Sequence, residues 1–158
     1  MSVQPLDTSF GLDGTYGEKL ANNIIRDLRN KGIRITPQRR VILEYMIKTT
    51  NHPTVEEIYK DLLPNNPGMS VATVYNNLNV LVKEGFVNEM KFSDVTSRYD
   101  FVGEQHHHIV CEKCNHISDF HFNQTNIIVD KAQSETGYKV SNAKIELYGL
   151  CPKCQLEE

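Results

Sequence analysis

The side chains best able to do chemistry lie between His106 and His121, in the run HHHIVCEKCNHISDFH. Three consecutive histidines, a Cys-x-x-Cys pair, an aspartate and two further histidines crowd into this stretch. No ordinary core or surface segment needs so many metal-capable groups together. A second pair, Cys151 and Cys154 in CPKC, follows near the C-terminus, and the two pairs account for all four cysteines. In a reducing compartment such pairs read as a thiolate metal site rather than as a disulfide framework. Four thiolates suit tetrahedral zinc with every position filled, which leaves no room for substrate and makes the expected role structural. The pairs are too far apart for a compact zinc ribbon. The metal would therefore clamp a distant strand onto the first pair and stabilise a small domain with little core of its own. A redox-active pair of the thioredoxin kind explains one pair poorly and two pairs worse.

The histidines suggest a second metal. If residues 106–111 form a strand, His106 and His108 share one face and His107 takes the other. Asp119 lies on the partner strand of the same hairpin, while His52 and Asp100 belong to the preceding half of the chain. Three imidazoles with two carboxylates suit a first-row divalent ion such as iron, manganese, cobalt or zinc. Any one histidine taken alone reads more simply as a surface residue, and His107, His116 and His121 are left with that reading.

The chain of 158 residues fits one domain or two small ones. Its apolar runs are too short to span a bilayer, and its N-terminus has neither the basic start nor the apolar core of a signal peptide. A cytoplasmic location without membrane attachment is the expectation. The formal charge of −3 does not mark a nucleic-acid binder, but its distribution is uneven. Between Lys19 and Arg40 there are seven basic residues against the single acid Asp27. A solvated basic face explains that run as well as phosphate contact does.

Elements must hold these groups in place. Residues 1–15 are polar and aperiodic, an expected mobile arm. Leu20, Ile24, Ile25 and Leu28 recur at helical spacing over about 16–31, and Gly32 is a natural stop. Thr36 can cap a second helix with Pro37 at its first position, its apolar face formed by Val41, Ile42, Tyr45 and Met46. The Asn51-His52-Pro53 break precedes a capping box, Thr54 with Glu57, and a short helix burying Ile58, Leu62 and Val55. Beyond the turn at 64–68, Ser70 caps a fourth helix with Val71, Val74, Leu78 and Leu81 on one face, ending by Gly85. Runs 86–92 and 98–102, separated by the turn-like SDVTS, read as a hairpin.

Helices followed by a two-stranded ribbon are the order of a winged helix-turn-helix. On the fourth helix Thr73, Tyr75, Asn76, Asn77 and Asn79 are left largely outside, and asparagine carries the donors and acceptors that suit base edges in the major groove. A merely polar face is the alternative for the helix alone; the ribbon and the basic first helix favour DNA. Candidate DNA contacts are Arg39, Ser70, Thr73, Tyr75, Asn76 and Asn77. Beyond a hinge at 103–105, a zinc-knuckle hairpin, a helix over 125–136 ended by Gly137, and a strand within 138–150 delivering Cys151 are expected. The fold class is therefore α+β: an N-terminal winged helix-turn-helix (16–102) and a C-terminal α/β dimerisation domain with a structural zinc site (103–158).

The runs RITPQRRVILEYM, HPTVEEIY, PGMSVATVYNNLNVL, SRYDFV, HHHIVCEKCNHISDFH and LYGLCPKC resemble the ferric-uptake-regulator (Fur) family from about Leu20 to the C-terminus. They are most similar to its peroxide-responsive (PerR) branch. The resemblance implies Cys111, Cys114, Cys151 and Cys154 as structural zinc ligands. It implies His52, Asp100, His106, His108 and Asp119 as ligands of a regulatory ion, Fe2+ or Mn2+, with Zn2+, Ni2+ or Co2+ as substitutes in vitro. Filling that site in the family closes a homodimer onto double-stranded, palindromic operator DNA. Asp119 and Asn76 resemble the peroxide branch, where many iron-uptake members place Glu and Arg. A third site that many uptake regulators carry is expected to be absent, since its positions hold Gln105, His107, Asn126 and Ala143.

The expected function is a metal-dependent repressor, not an enzyme, sensing peroxide through iron-catalysed oxidation of His52 or His106. Manganese would fill the site without that reaction. A regulator of iron, manganese or zinc supply is the rival within the family. A non-haem iron enzyme, using two histidines and a carboxylate, is the remote one and leaves the winged helix without a use. A structural zinc module leaves His52 and Asp100 without one.

Overall fold

The computed structural model describes residues 14–91 and 96–157. The expected arm, apart from Gly14 and Thr15, and most of the SDVTS turn lie outside them. The chain forms two compact units, one running through Gly103 and the other from Glu104 onward. No described helix is long and apolar enough to cross a membrane.

The first unit contains α1 (Gly14–Asn30), α2 (Pro37–Lys48), α3 (Val55–Leu62), α4 (Val71–Lys83), β1 (Val87–Met90) and β2 (Arg98–Phe101). The local signals act as the sequence suggests. Thr36 accepts from the Arg39 N–H at the start of α2, where Pro37 sacrifices no needed donor. Thr54 and Glu57 complete a reciprocal capping box on α3, and Ser70 accepts from the Thr73 N–H on α4. A 3-10 turn, Leu63–Asn65, carries the chain from α3 towards α4. Ala21, Leu28, Ile42, Met46, Leu78 and Leu81 are completely buried and lock α1, α2 and α4 together. Burying each of the leucine, isoleucine and methionine side chains among them contributes roughly 1.5–3 kcal/mol. Val71, expected on the inner face of α4, is exposed instead, because it occupies the first turn, before the helix meets the core.

The hairpin pairs β1 antiparallel to β2, with Asn88 opposite Asp100. β2 is also stitched to the break before α3. The Tyr99 N–H donates to the Pro53 carbonyl at 2.9 Å, and the Arg98 guanidinium donates to the His52 carbonyl at 2.9 Å. Two residues far apart in sequence, His52 and Asp100, are thereby brought side by side.

The second unit is a three-stranded sheet ordered β4-β3-β5, with β3 at His107–Cys111, β4 at Ile117–Phe120 and β5 at Glu146–Gly149. β3 is antiparallel to β4 and parallel to β5. A parallel neighbour needs a crossover, and α5 (Thr125–Thr136) supplies it. Gly137, at φ 74°, ends that helix in the left-handed conformation that glycine adopts without penalty. The expected strand within 138–150 is confined to its last third. A short helix that the sequence did not suggest, α6 (Pro152–Gln155), follows it. Few apolar side chains are buried in this unit, chiefly Val110 and Ile117, so its core is slight.

Candidate metal centres and nucleic-acid interface

Three pieces of backbone converge on the thiols. Cys111 ends β3, Cys114 follows in the tight turn, and Cys151 and Cys154 come from the start and interior of α6. The turn closes with the Asn115 N–H donating to the Cys111 carbonyl at 2.8 Å. Asn115 takes φ 60°, a left-handed conformation that asparagine tolerates better than most residues. Parallel pairing sets Cys111 opposite Gly149, and the Glu112 N–H donates to the Gly149 carbonyl, which delivers the second pair to the first. All four Sγ atoms lie within 4.8 Å of one another.

That constellation fits zinc. A tetrahedron with zinc–sulfur bonds of about 2.3 Å has edges of about 3.8 Å. The Cys114 and Cys151 sulfurs stand 3.8 Å apart. The thiols are also driven in opposite directions. Backbone N–H groups, first that of Cys151 and then that of Cys114, pull the Cys111 thiol down to about 6. Burial, followed by its thiol neighbours, pushes Cys154 up to about 12. A divalent cation would hold both as thiolates.

Each unit separately carries an imidazole–carboxylate group. In the first, His52 Nε2 lies 3.7 Å from Asp100 Oδ1, and both residues are buried. In the second, Asp119 Oδ1 lies 3.4 Å from His108 Nε2 and 4.0 Å from His106 Nε2. The register sets His108 opposite Asp119, and the rings of His106 and His108 meet edge to face at 4.9 Å. His106 Nδ1 is 2.8 Å from the Glu104 carbonyl. A carbonyl only accepts, so Nδ1 carries the proton and Nε2 keeps the lone pair that a metal ligand needs. These donor sets suit a first-row divalent ion.

His107, read from sequence as a surface residue, is buried, only 1% exposed. Its Nδ1 accepts the Ile145 N–H at 3.2 Å, and its ring leans on Phe120. It anchors the entry to β5. It shares its face of β3 with the exposed Ile109, so alternation gave no warning of its burial; the cross-strand Phe120 and the chain entering β5 cover it locally. His116 and His121 are exposed, as expected.

On α4, Tyr75 is 49% exposed and Asn76 is exposed, both facing outward. Asn77 is not. It is buried, accepting the Arg39 Nε–H at 2.9 Å and donating to the Thr73 carbonyl at 2.8 Å. Helical spacing placed it at the edge of the polar face, and contact with α2 moved it inside. Ser70 is exposed, but its hydroxyl is engaged by the Thr73 N–H and hydroxyl. Arg39 is half-buried at the start of α2.

Residues 30–148 match the ferric uptake regulator family. The chain is 47% identical over 131 residues to the peroxide-responsive repressor PerR of Staphylococcus saprophyticus, covering 83% of this chain and 88% of that protein. A solved structure of PerR from Streptococcus pyogenes, concerned with peroxide sensing and gene regulation, is 51% identical. It covers 85% of this chain and 92% of its own, with a TM-score of 0.51. The fold is also similar to the Helicobacter pylori ferric uptake regulator Fur, at 23% identity and a TM-score of 0.77, covering 88% of this chain and 93% of that one.

Proposed function

The chain belongs to the ferric uptake regulator family, and we propose that it is a homodimeric repressor whose regulatory metal makes it responsive to peroxide. Members of this family are metal-dependent, DNA-binding transcriptional regulators rather than enzymes, which sets aside the oxygenase reading. The observation that carries the proposal is the division of imidazole and carboxylate donors between the units. His52 and Asp100 lie in the one that bears α4, and His106, His108 and Asp119 lie in the other. One ion taking ligands from both must fix their mutual angle. An ion that binds the DNA-competent arrangement more tightly shifts the population towards it.

Cys111, Cys114, Cys151 and Cys154 hold structural zinc in this reading, and the five-residue set holds Fe2+ or Mn2+. Ferrous iron held there would supply peroxide cleavage beside its own ligands: one peroxide oxygen would go to the ring of His52 or His106 and the other would leave as water, a two-electron oxidation of the ring in total. The chain's part is to hold those rings. The His106 Nδ1–H is fixed on a carbonyl, and His52 is anchored through its own carbonyl by Arg98. Loss of either ring as a ligand would weaken the hold on the ion and, with it, on double-stranded operator DNA. The basic first helix, Arg39 and the outward Tyr75 and Asn76 form the DNA-facing surface.

The second unit offers itself to another copy. Ile109 and Leu147 are paired across neighbouring strands and exposed, α5 has no buried residue, and Ile127 and Ile128 are exposed on it. A unit with so little core gains stability from a partner as well as from metal.

Mass spectrometry of peroxide-treated protein, loaded with iron or with manganese, tests the sensing step. One added oxygen on the His52 or His106 peptide is expected with iron and not with manganese. Unmodified peptides from protein with iron demonstrably bound would leave the metal-supply regulator as the function.

A further inference from the structure

We propose that the β3–β4 hairpin is a metal site in its own right, with His121 as its fourth ligand beside His106, His108 and Asp119. Registration gives the reason. β3 and β4 pair with His108 opposite Asp119 and His107 opposite Phe120. Continuing the ladder one step sets His106 opposite His121. Alternation puts His106 and His108 on one face of their strand, and Asp119 and His121 on the same face of theirs. The four residues therefore make a two-by-two array of cross-strand neighbours, the closest spacing a sheet offers.

The side chains agree with the register. The rings of His106 and His121 lie 6.5 Å apart at 49°, those of His106 and His108 lie 4.9 Å apart, and Asp119 Oδ1 reaches towards both His106 and His108. His121 is exposed just beyond the end of β4, so its ring turns among rotamers without disturbing the core. Three imidazoles and a carboxylate are a complete four-coordinate set for zinc or cobalt. None of them comes from the first unit.

The inference rests on the metal-responsive reading for the donors the two sites share, and it adds that the hairpin needs neither His52 nor Asp100 to hold an ion. His121 and the pair from the first unit then complete the same core of donors in alternative ways. An ion satisfied by four ligands remains on the hairpin, whereas one that takes more has reason to recruit His52 and Asp100.

The test is a cobalt titration of the full chain with its thiolates saturated by zinc, in a His52→Ala/Asp100→Ala background. One Co2+ is expected to bind with the intense visible bands of four-coordinate cobalt. Adding His121→Ala should weaken that binding by about tenfold or more and alter the bands, while His116→Ala changes neither. No cobalt bound in the double variant, or equal affinity and spectrum with and without His121, overturns the proposal. Cobalt held by the hairpin in a protein that fails to bind DNA with any metal would overturn the regulatory reading and leave this one standing.

Discussion

The Nε–H of Arg39, in the first turn of α2, donates to the side-chain oxygen of Asn77 on α4 at 2.9 Å. The other end of the Asn77 amide is tied to the Thr73 carbonyl, and the Arg39 Nη1 is tied to the Arg34 carbonyl. Asn77 is thus committed to orienting a cation between the two helices. A guanidinium has five donors, so Arg39 retains others for a phosphate.

Asn77→Ala is expected to behave as a weakened Arg39→Ala. It should reduce the slope of log affinity against log salt by up to about 0.9, the signature of one lost phosphate contact. Loss of a hydrogen bond to a charged group should also destabilise the fold by about 1.5–3 kcal/mol. Tyr75→Ala and Asn76→Ala should instead weaken binding to a selected operator by about 1–3 kcal/mol each with the slope unchanged. A lowered melting temperature in Asn77→Ala with an intact salt slope would remove Arg39 from the phosphate contacts.

The thiol cluster predicts a pH signature for zinc-free, reduced protein. Backbone N–H groups draw the Cys111 thiol from its ordinary 9.0 down to about 6. A depressed acid stabilises the fold when ionised. The contribution is fully present above about pH 9 and is lost as pH falls through about 6. Thiolate absorbance should therefore show a group ionising near pH 6. That step should vanish in Cys111→Ser. Persistence of the step in Cys111→Ser would assign it to another sulfur.

The exposed apolar face of the second unit predicts how the copies meet. Leu147→Asp on β5 and Ile127→Asp on α5 each place charge at an exposed apolar position without touching a metal donor. Desolvating an unpaired carboxylate there is costly enough to shift a dimer towards monomer. Sedimentation of zinc-loaded protein checks it, and a dimer of undiminished strength in both variants would move the interface elsewhere.

Local chemistry made much of this molecule legible from its sequence. Thr36 with Pro37, Thr54 with Glu57, Ser70 and Gly137 mark helix ends because caps work through the nearest three or four residues. The four cysteines could be read together because thiolates spaced two residues apart are costly to keep without a metal or an oxidant. The alternation of His106, His107 and His108 followed from the pleat alone.

What sequence could not settle was which face of each element would meet the rest of the fold. Asn77 sits at the border of the polar stripe of α4, and only the approach of Arg39 from α2 turned it inward. Val71 has core chemistry but lies where α4 has not yet reached the core. His107 carries the same imidazole as its two neighbours, and the Ile145 N–H and the Phe120 ring made it an anchor instead of a surface group. The sequence by itself determined the caps, the strand alternation and the donor inventory, because these act over a few residues. Tertiary structure alone set His52 beside Asp100 and drew Cys151 to Cys114, since hydrogen bonds from Arg98 and Tyr99 and the pairing of β3 with β5 bridge long separations.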